Sequence, residues 1–102
     1  MCQTDGMPSY VVATITITDR SRYEAYQAGF LDVFVKYGGE LLAVDESPRI
    51  VEGQWPFTRT VLLKFPDDDE AARWYSSSEY QEIARHRFAG AETNAVLVTG
   101  IA

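Results

Sequence analysis

Between Tyr10 and Thr18 the chain reads YVVATITIT, and immediately afterwards the spacing of apolar residues lengthens from the period of a strand to that of a helix. The first stretch predicts a β-strand with Val11, Ala13, Ile15 and Ile17 on one face and Tyr10, Val12, Thr14, Thr16 and Thr18 on the other. Asp19 offers a capping oxygen, and Tyr23, Tyr26, Phe30, Val33, Phe34 and Tyr37 then recur along one helical stripe. Gly38 and Gly39 close that helix, since glycine enters the left-handed conformation of a C-terminus at little cost. Leu41–Val44 and Ile50–Glu52 predict a second strand interrupted by Asp45-Glu46-Ser47-Pro48, and Thr58–Phe65 a third. The intervening Gly53-Gln54-Trp55-Pro56-Phe57 is of hairpin length, which makes these strands antiparallel neighbours.

Pro66 stops the third strand, and Asp67 with Glu70 forms the pattern of a capping box. The acidic run Asp67-Asp68-Asp69-Glu70 therefore has a structural cause, because a helix N-terminus favours negative charge. Ser76-Ser77-Ser78 divides the helical stretch after Pro66 into two helices or one kinked helix, and Glu79 most simply completes a capping box with Ser76. Gly90 ends the helical region and Thr93–Thr99 alternates as a fourth strand. The order β-α-β-β-α-β predicts a ferredoxin-like α+β sandwich, with both helical segments on one face of a four-stranded antiparallel sheet. The other face would carry Val12, Thr14, Thr16, Thr60, Leu62 and Lys64, too apolar to be simply solvated. A second copy packed through this face is the expected cover.

The 102 residues suit one domain, here residues 8–102 after a flexible tail over residues 1–7. A net charge of −6 is the wrong sign for gripping a phosphate backbone or an anionic membrane. Neither nucleic acid nor membrane is therefore an expected partner. No apolar run reaches the roughly 20 residues of a membrane span, and the N-terminus lacks the basic and apolar regions of a secretory signal, so a cytoplasmic location is expected. Cys2 is the only cysteine and His86 the only histidine, which leaves no familiar metal-ligand set. His86, within Arg85-His86-Arg87, reads as an ordinary exposed helix residue; its functional alternatives are a lone haem ligand or a general base. The spacing gives no nucleophilic triad and no phosphate-binding loop.

A larger pattern is carried by Tyr23-Glu24-Ala25-Tyr26, Tyr37-Gly38-Gly39, Glu52-Gly53-Gln54-Trp55-Pro56, Arg59, Phe65-Pro66, Trp74-Tyr75, Ser78-Glu79-Tyr80 and Arg87. Together these segments resemble the domain of unknown function 1330 family, from about Met7 to Gly100, and the combination of EGxWP with WYxSxEY is its specific part. Two departures, the extra N-terminal residues and Asp67 where a serine cap is common, fall away from the candidate site. The resemblance implies a dimeric α+β barrel, in which two ferredoxin-like protomers pack sheet against sheet. The wider superfamily includes cofactor-independent monooxygenases, lactone isomerases and haem-dependent enzymes, whereas the family itself carries no established reaction.

The candidate ligand-binding residues are Tyr26, Glu52, Trp55, Arg59, Trp74 and Arg87. Glu52 and Arg59 flank the hairpin loop, where cross-strand pairing would join them in a salt bridge that pins it. Alternatively, Arg59 projects a fork of donors into a pocket for a carboxylate, with Trp55 as a flat wall. Trp55 and Pro56 are equally readable as loop packing or a dimer anchor, and Tyr26, Trp74 and Tyr75 as core. Arg87 would pair with Glu52 or with a ligand anion. The functional expectation is a protein that binds or transforms a small anionic or aromatic molecule without a tightly bound cofactor. The alternative is a noncatalytic homodimeric module whose aromatic residues are structural.

Overall fold

The computed structural model describes residues 7–101, so the expected tail lies outside the described residues except for Met7. The chain forms β1 (Ser9–Ile17), α1 (Arg20–Phe34), β2 (Glu40–Asp45), β3 (Arg59–Phe65), α2 (Asp68–Ser76), α3 (Ser78–Gly90) and β4 (Ala91–Thr99). The four strands make one antiparallel sheet in the order β2-β3-β1-β4. This is the ferredoxin-like arrangement, with the second helical segment split in two by Ser77.

Local chemistry accounts for the element ends. Asp19 accepts from the Arg22 backbone N–H, Asp67 from that of Glu70, and Ser77 from that of Tyr80, so each helix begins on a side-chain cap. The capping boxes are only half formed. Glu70 turns to Arg73, and Glu79 reaches across to Lys36 on the short 3-10 turn Val35–Tyr37 that extends α1. The cap of α3 is thus Ser77 rather than Ser76. Gly38 closes this turn with φ 75° and ψ 20°, a left-handed conformation that favours glycine. At Gly39 a Cβ would lie 2.2 Å from the Phe34 ring, which explains why the second glycine of the pair is needed.

The expected continuation of strand two over Ile50–Glu52 does not exist, and residues 46–58 form an irregular connection instead. The reason lies in the register. Asp45 already pairs opposite Thr60, one residue from the start of β3, so the chain beyond it has no strand to join. An Asx-type bond from the Ser47 N–H to Asp45 Oδ1, at 2.8 Å, turns it away from the sheet.

The core lies between the sheet and the helices. Ala13 and Ile15 of β1 and Val61, Leu63 and Phe65 of β3 face Tyr23, Tyr26, Val33 and Phe34 of α1, Ala71 and Trp74 of α2, and Tyr80 and Ala84 of α3. All of these are buried. Strand alternation sends Tyr10, Val12, Leu62, Val96 and Val98 to the opposite, helix-free face, where Val96 and Val98 are exposed.

Candidate functional site

A cavity of about 410 Å³ opens between the sheet and the helical layer. Its origin is a shortage of volume at the centre of the sheet: Ala13 and Ala95 are cross-strand partners on the helix-facing side, and Ala71 stands opposite on α2. Large aromatic residues surround these small ones. The outer walls include Leu31, Leu41, Val44 and Leu97, all at least 39% exposed, which form an apolar rim.

The charged groups in this wall are two arginines, and both sit among aromatic rings. Arg59, the first residue of β3, places its guanidinium 5.5 Å from the centre of the Tyr23 ring, and Arg87 of α3 lies 5.5 Å from that of Tyr26 and 4.9 Å from that of Phe88. Tyr26 and Tyr80 hydroxyls are 2.8 Å apart, and Arg87 Nη2 donates to the Tyr80 oxygen at 3.3 Å. Burial pushes the Tyr26 phenol well above its ordinary value, reinforced by neighbouring Tyr80, so it remains protonated. Burial also raises Tyr23, with Arg59 acting in the opposite sense. The wall contains no aspartate or glutamate among the described residues.

Arg59 faces two ways. Its Nη1 donates to Glu46 Oε2 at 2.9 Å, and the same oxygen accepts from Arg20 Nη1 at 3.0 Å. Its Nε is buried and has no hydrogen-bond partner among the described residues, as is also true of Trp74 Nε1 and Thr93 Oγ1, both on cavity-lining residues. Arg87, only 8% exposed, makes no ion pair among the described residues.

Four of the six sequence candidates, Tyr26, Arg59, Trp74 and Arg87, therefore meet at the cavity, and two do not. Glu52 is exposed in the 46–58 connection, and the predicted Glu52–Arg59 pair is replaced by Glu46–Arg59. Continuing the register past Asp45–Thr60 puts Glu46 beside Arg59, whereas Glu52 lies where no strand pairs. Glu52 is likewise no partner of Arg87, which turns to Tyr80. Trp55 is not a cavity wall: its Nε1 donates to Thr60 Oγ1 at 2.8 Å, and Thr60 faces the opposite side of the sheet from Arg59. Its ring packs edge-on against Phe57, with centroids 5.3 Å apart. His86 does not line the cavity.

Tyr23, Tyr80 and Thr93 of the wall, and Glu46, which braces Arg59 from outside the wall, are residues that sequence reasoning missed. Tyr80 and Arg87, seven apart on α3, were readable as one helical face, and Tyr23 and Tyr26 as another. Glu46 required the strand register, which no local pattern supplies.

The Glu46 carboxyl is held below its ordinary value, first by hydrogen bonding from Arg20 and then from Arg59. A lowered carboxyl contributes stability above the ordinary carboxylate range, and that contribution disappears as pH falls through the lowered value. Thermal melts of wild type and Glu46→Gln should therefore differ modestly at neutral pH and converge as pH falls below the ordinary carboxylate range. A constant offset across that range would show that the ion pair is not its source.

Among the described residues, no helix is long and apolar enough to cross a membrane and no group of three His, Cys, Asp or Glu is placed to hold a metal ion. The sheet, the helical layer and the cavity between them define a ferredoxin-like α+β protein. The sequence profile of the family described as "Domain of unknown function (DUF1330)" matches residues 8–101, and the chain belongs to that family. No curated protein matches the sequence.

Among solved structures, a protein of unknown function from Rhodopseudomonas palustris superposes with a TM-score of 0.81 at 14% identity, covering 95% of this chain and 85% of the other. SnoaB, a cofactor-independent oxygenase from Streptomyces nogalater, superposes at 0.67 and 14% identity, covering 94% and 95%. A dimeric ferredoxin-like protein of unknown function from Thermobifida fusca gives 0.64 at 11% identity, covering 97% and 96%. At such identities the similarity is one of fold.

Proposed function

We propose that the protein is a cytosolic homodimer that binds a small, flat or apolar molecule through an anionic group, in the cavity between sheet and helices and without a tightly bound cofactor. The observation that carries this reading is a wall with two guanidinium groups and no carboxylate, one of them the buried, unpaired Arg87. An unpaired buried charge is expensive, so such a site favours a ligand that supplies the opposite sign. The free Arg59 Nε and Trp74 Nε1 are both donors, which again suits an acceptor-rich ligand. The aromatic walls suit a flat body, and water exclusion strengthens each polar contact. The resemblance in fold to an oxygenase that needs no cofactor is compatible with chemistry on the bound molecule. The homodimer rests on the apolar helix-free face and on the dimeric relative from Thermobifida fusca.

Titration with benzoate and short-chain carboxylates, followed by calorimetry and thermal shift, tests the ligand reading. Wild type should show saturable stabilisation. Arg59→Lys should lose about tenfold in affinity because an ammonium does not reproduce the guanidinium fork. Ala95→Phe, which fills the space above Ala13, should abolish binding while the melting temperature is kept or raised. No hit on wild type, with matched small stability losses in Arg59→Lys and Glu46→Gln, would instead favour a noncatalytic homodimeric module.

A further inference from the structure

Arg87, Tyr80 and Tyr26 form a hydrogen-bonded chain whose polarity is fixed by proton counting. A guanidinium has donors and no acceptor, so the Tyr80 oxygen must accept from Arg87. The two phenols own two protons between them, and the 2.8 Å contact between their oxygens uses one. The other proton has no acceptor in the chain, because Arg87 offers none and neither hydroxyl makes a further hydrogen bond among the described residues. Both tyrosines are buried and both line the cavity. The other titratable groups against them are Tyr23 on α1, which Arg59 of β3 faces in turn, and Tyr75 on α2, and the cavity wall has no carboxylate among the described residues to take the proton.

We infer that this triad is a donor site for an oxyanion, and that the ligand class is an acidic hydroxyl compound, a phenol or an enol, bound in its ionised form. This deepens the reading of the cavity as an anion site and rests on it. The spare phenolic proton hydrogen-bonds the ligand oxygen, and Arg87 supplies the positive charge through Tyr80. The hydroxyl proton of the ligand passes to bulk water on binding, so protein protonation is unchanged. Burial holds Tyr26 as a neutral donor rather than a competing tyrosinate.

The test uses 4-nitrophenol, whose phenolate absorbs in the visible, titrated with the full-length protein across pH. The ionisation constant of the bound compound should rise about tenfold over that of the free compound, and Tyr26→Phe and Tyr80→Phe should each remove most of that rise. Melting curves establish that each variant folds, and either one alone suffices. Arg87→Gln should abolish the rise as well. Two results overturn the inference while leaving the anion site standing: bound 4-nitrophenol that ionises as it does free, or an enhancement that survives both Tyr→Phe changes, each while benzoate still binds in an Arg59-dependent way. Failure of both compounds to bind overturns the cavity reading and this inference together.

Discussion

Replacing Trp74 by alanine should bring the protein to the edge of unfolding. The indole is 4% exposed and is the hub of the aromatic core: ring centroids lie 4.2 Å away at Tyr80, 5.1 Å at Phe65, 6.0 Å at Phe34 and 6.2 Å at Phe30. It joins α2 to α1, to α3 and to the sheet at once. Truncation of a buried aromatic of this size costs about 3–5 kcal/mol, against a total stability of about 5–15 kcal/mol for an ordinary domain. Chemical denaturation should show the midpoint falling by at least about a fifth, and by most of its value if the total lies at the low end of that range, and Trp74→Phe should recover most of the loss. The cavity beside Trp74 already leaves that wall loosely filled, so the void is poorly placed to collapse. A loss below about 1 kcal/mol, the typical figure for a point substitution, would mean that the aromatic cluster does not hold the helices to the sheet.

The second large effect concerns the opposite face. Val12 has Leu62 on one side and Val96 on the other, and Tyr10 pairs with Val98, so apolar side chains run across three strands, and Val96 and Val98 are exposed. Lys64 beside Tyr10 and Glu92 beside Thr16 place charges toward the ends of this strip. In a symmetric dimer Leu62→Asp would bury an unpaired carboxylate from each protomer, at about 3–5 kcal/mol for each uncompensated charge. The dimer dissociation constant should rise at least about a hundredfold. Analytical ultracentrifugation is the readout: wild type should sediment as a dimer at micromolar concentration and Leu62→Asp as a monomer. A wild-type mass of one 11.5 kDa chain would remove the dimer, and with it the reason for an apolar outer face.

How much of the fold is legible in the sequence depends on the range of the interactions involved. Period-two and period-3.6 spacing exposes β1 and the stripe from Tyr23 to Tyr37, because those contacts repeat every few residues. Pro66, Gly38 and the Asp67 cap mark element ends for reasons local to the backbone. Residues 46–58 mislead because Ile50 and Val51 are apolar and β-branched, although Val51 is 94% exposed and no neighbouring strand is within reach. The misplacement of Trp55 and Glu52 stems from that one error. Their proximity to Arg59 along the chain suggests proximity in space, but the loop carries Trp55 to Thr60 on the other face. Arg59 itself is legible, since strand parity with Val61 and Leu63 is a local property. Its partner Glu46 is not, because that depends on a pairing between strands. The Tyr26–Tyr80 contact joins residues 54 apart and becomes visible only when α1 packs on α3.

The anion-binding role of the cavity is tested most directly by nuclear magnetic resonance of the arginine Nε–Hε groups during a benzoate titration. Saturable shifts of Arg59 and Arg87 at one shared dissociation constant, absent from the Ala95→Phe variant, are the predicted result. Shifts confined to the exposed Arg20, Arg73 or Arg85, or no saturable change at any arginine, would contradict it.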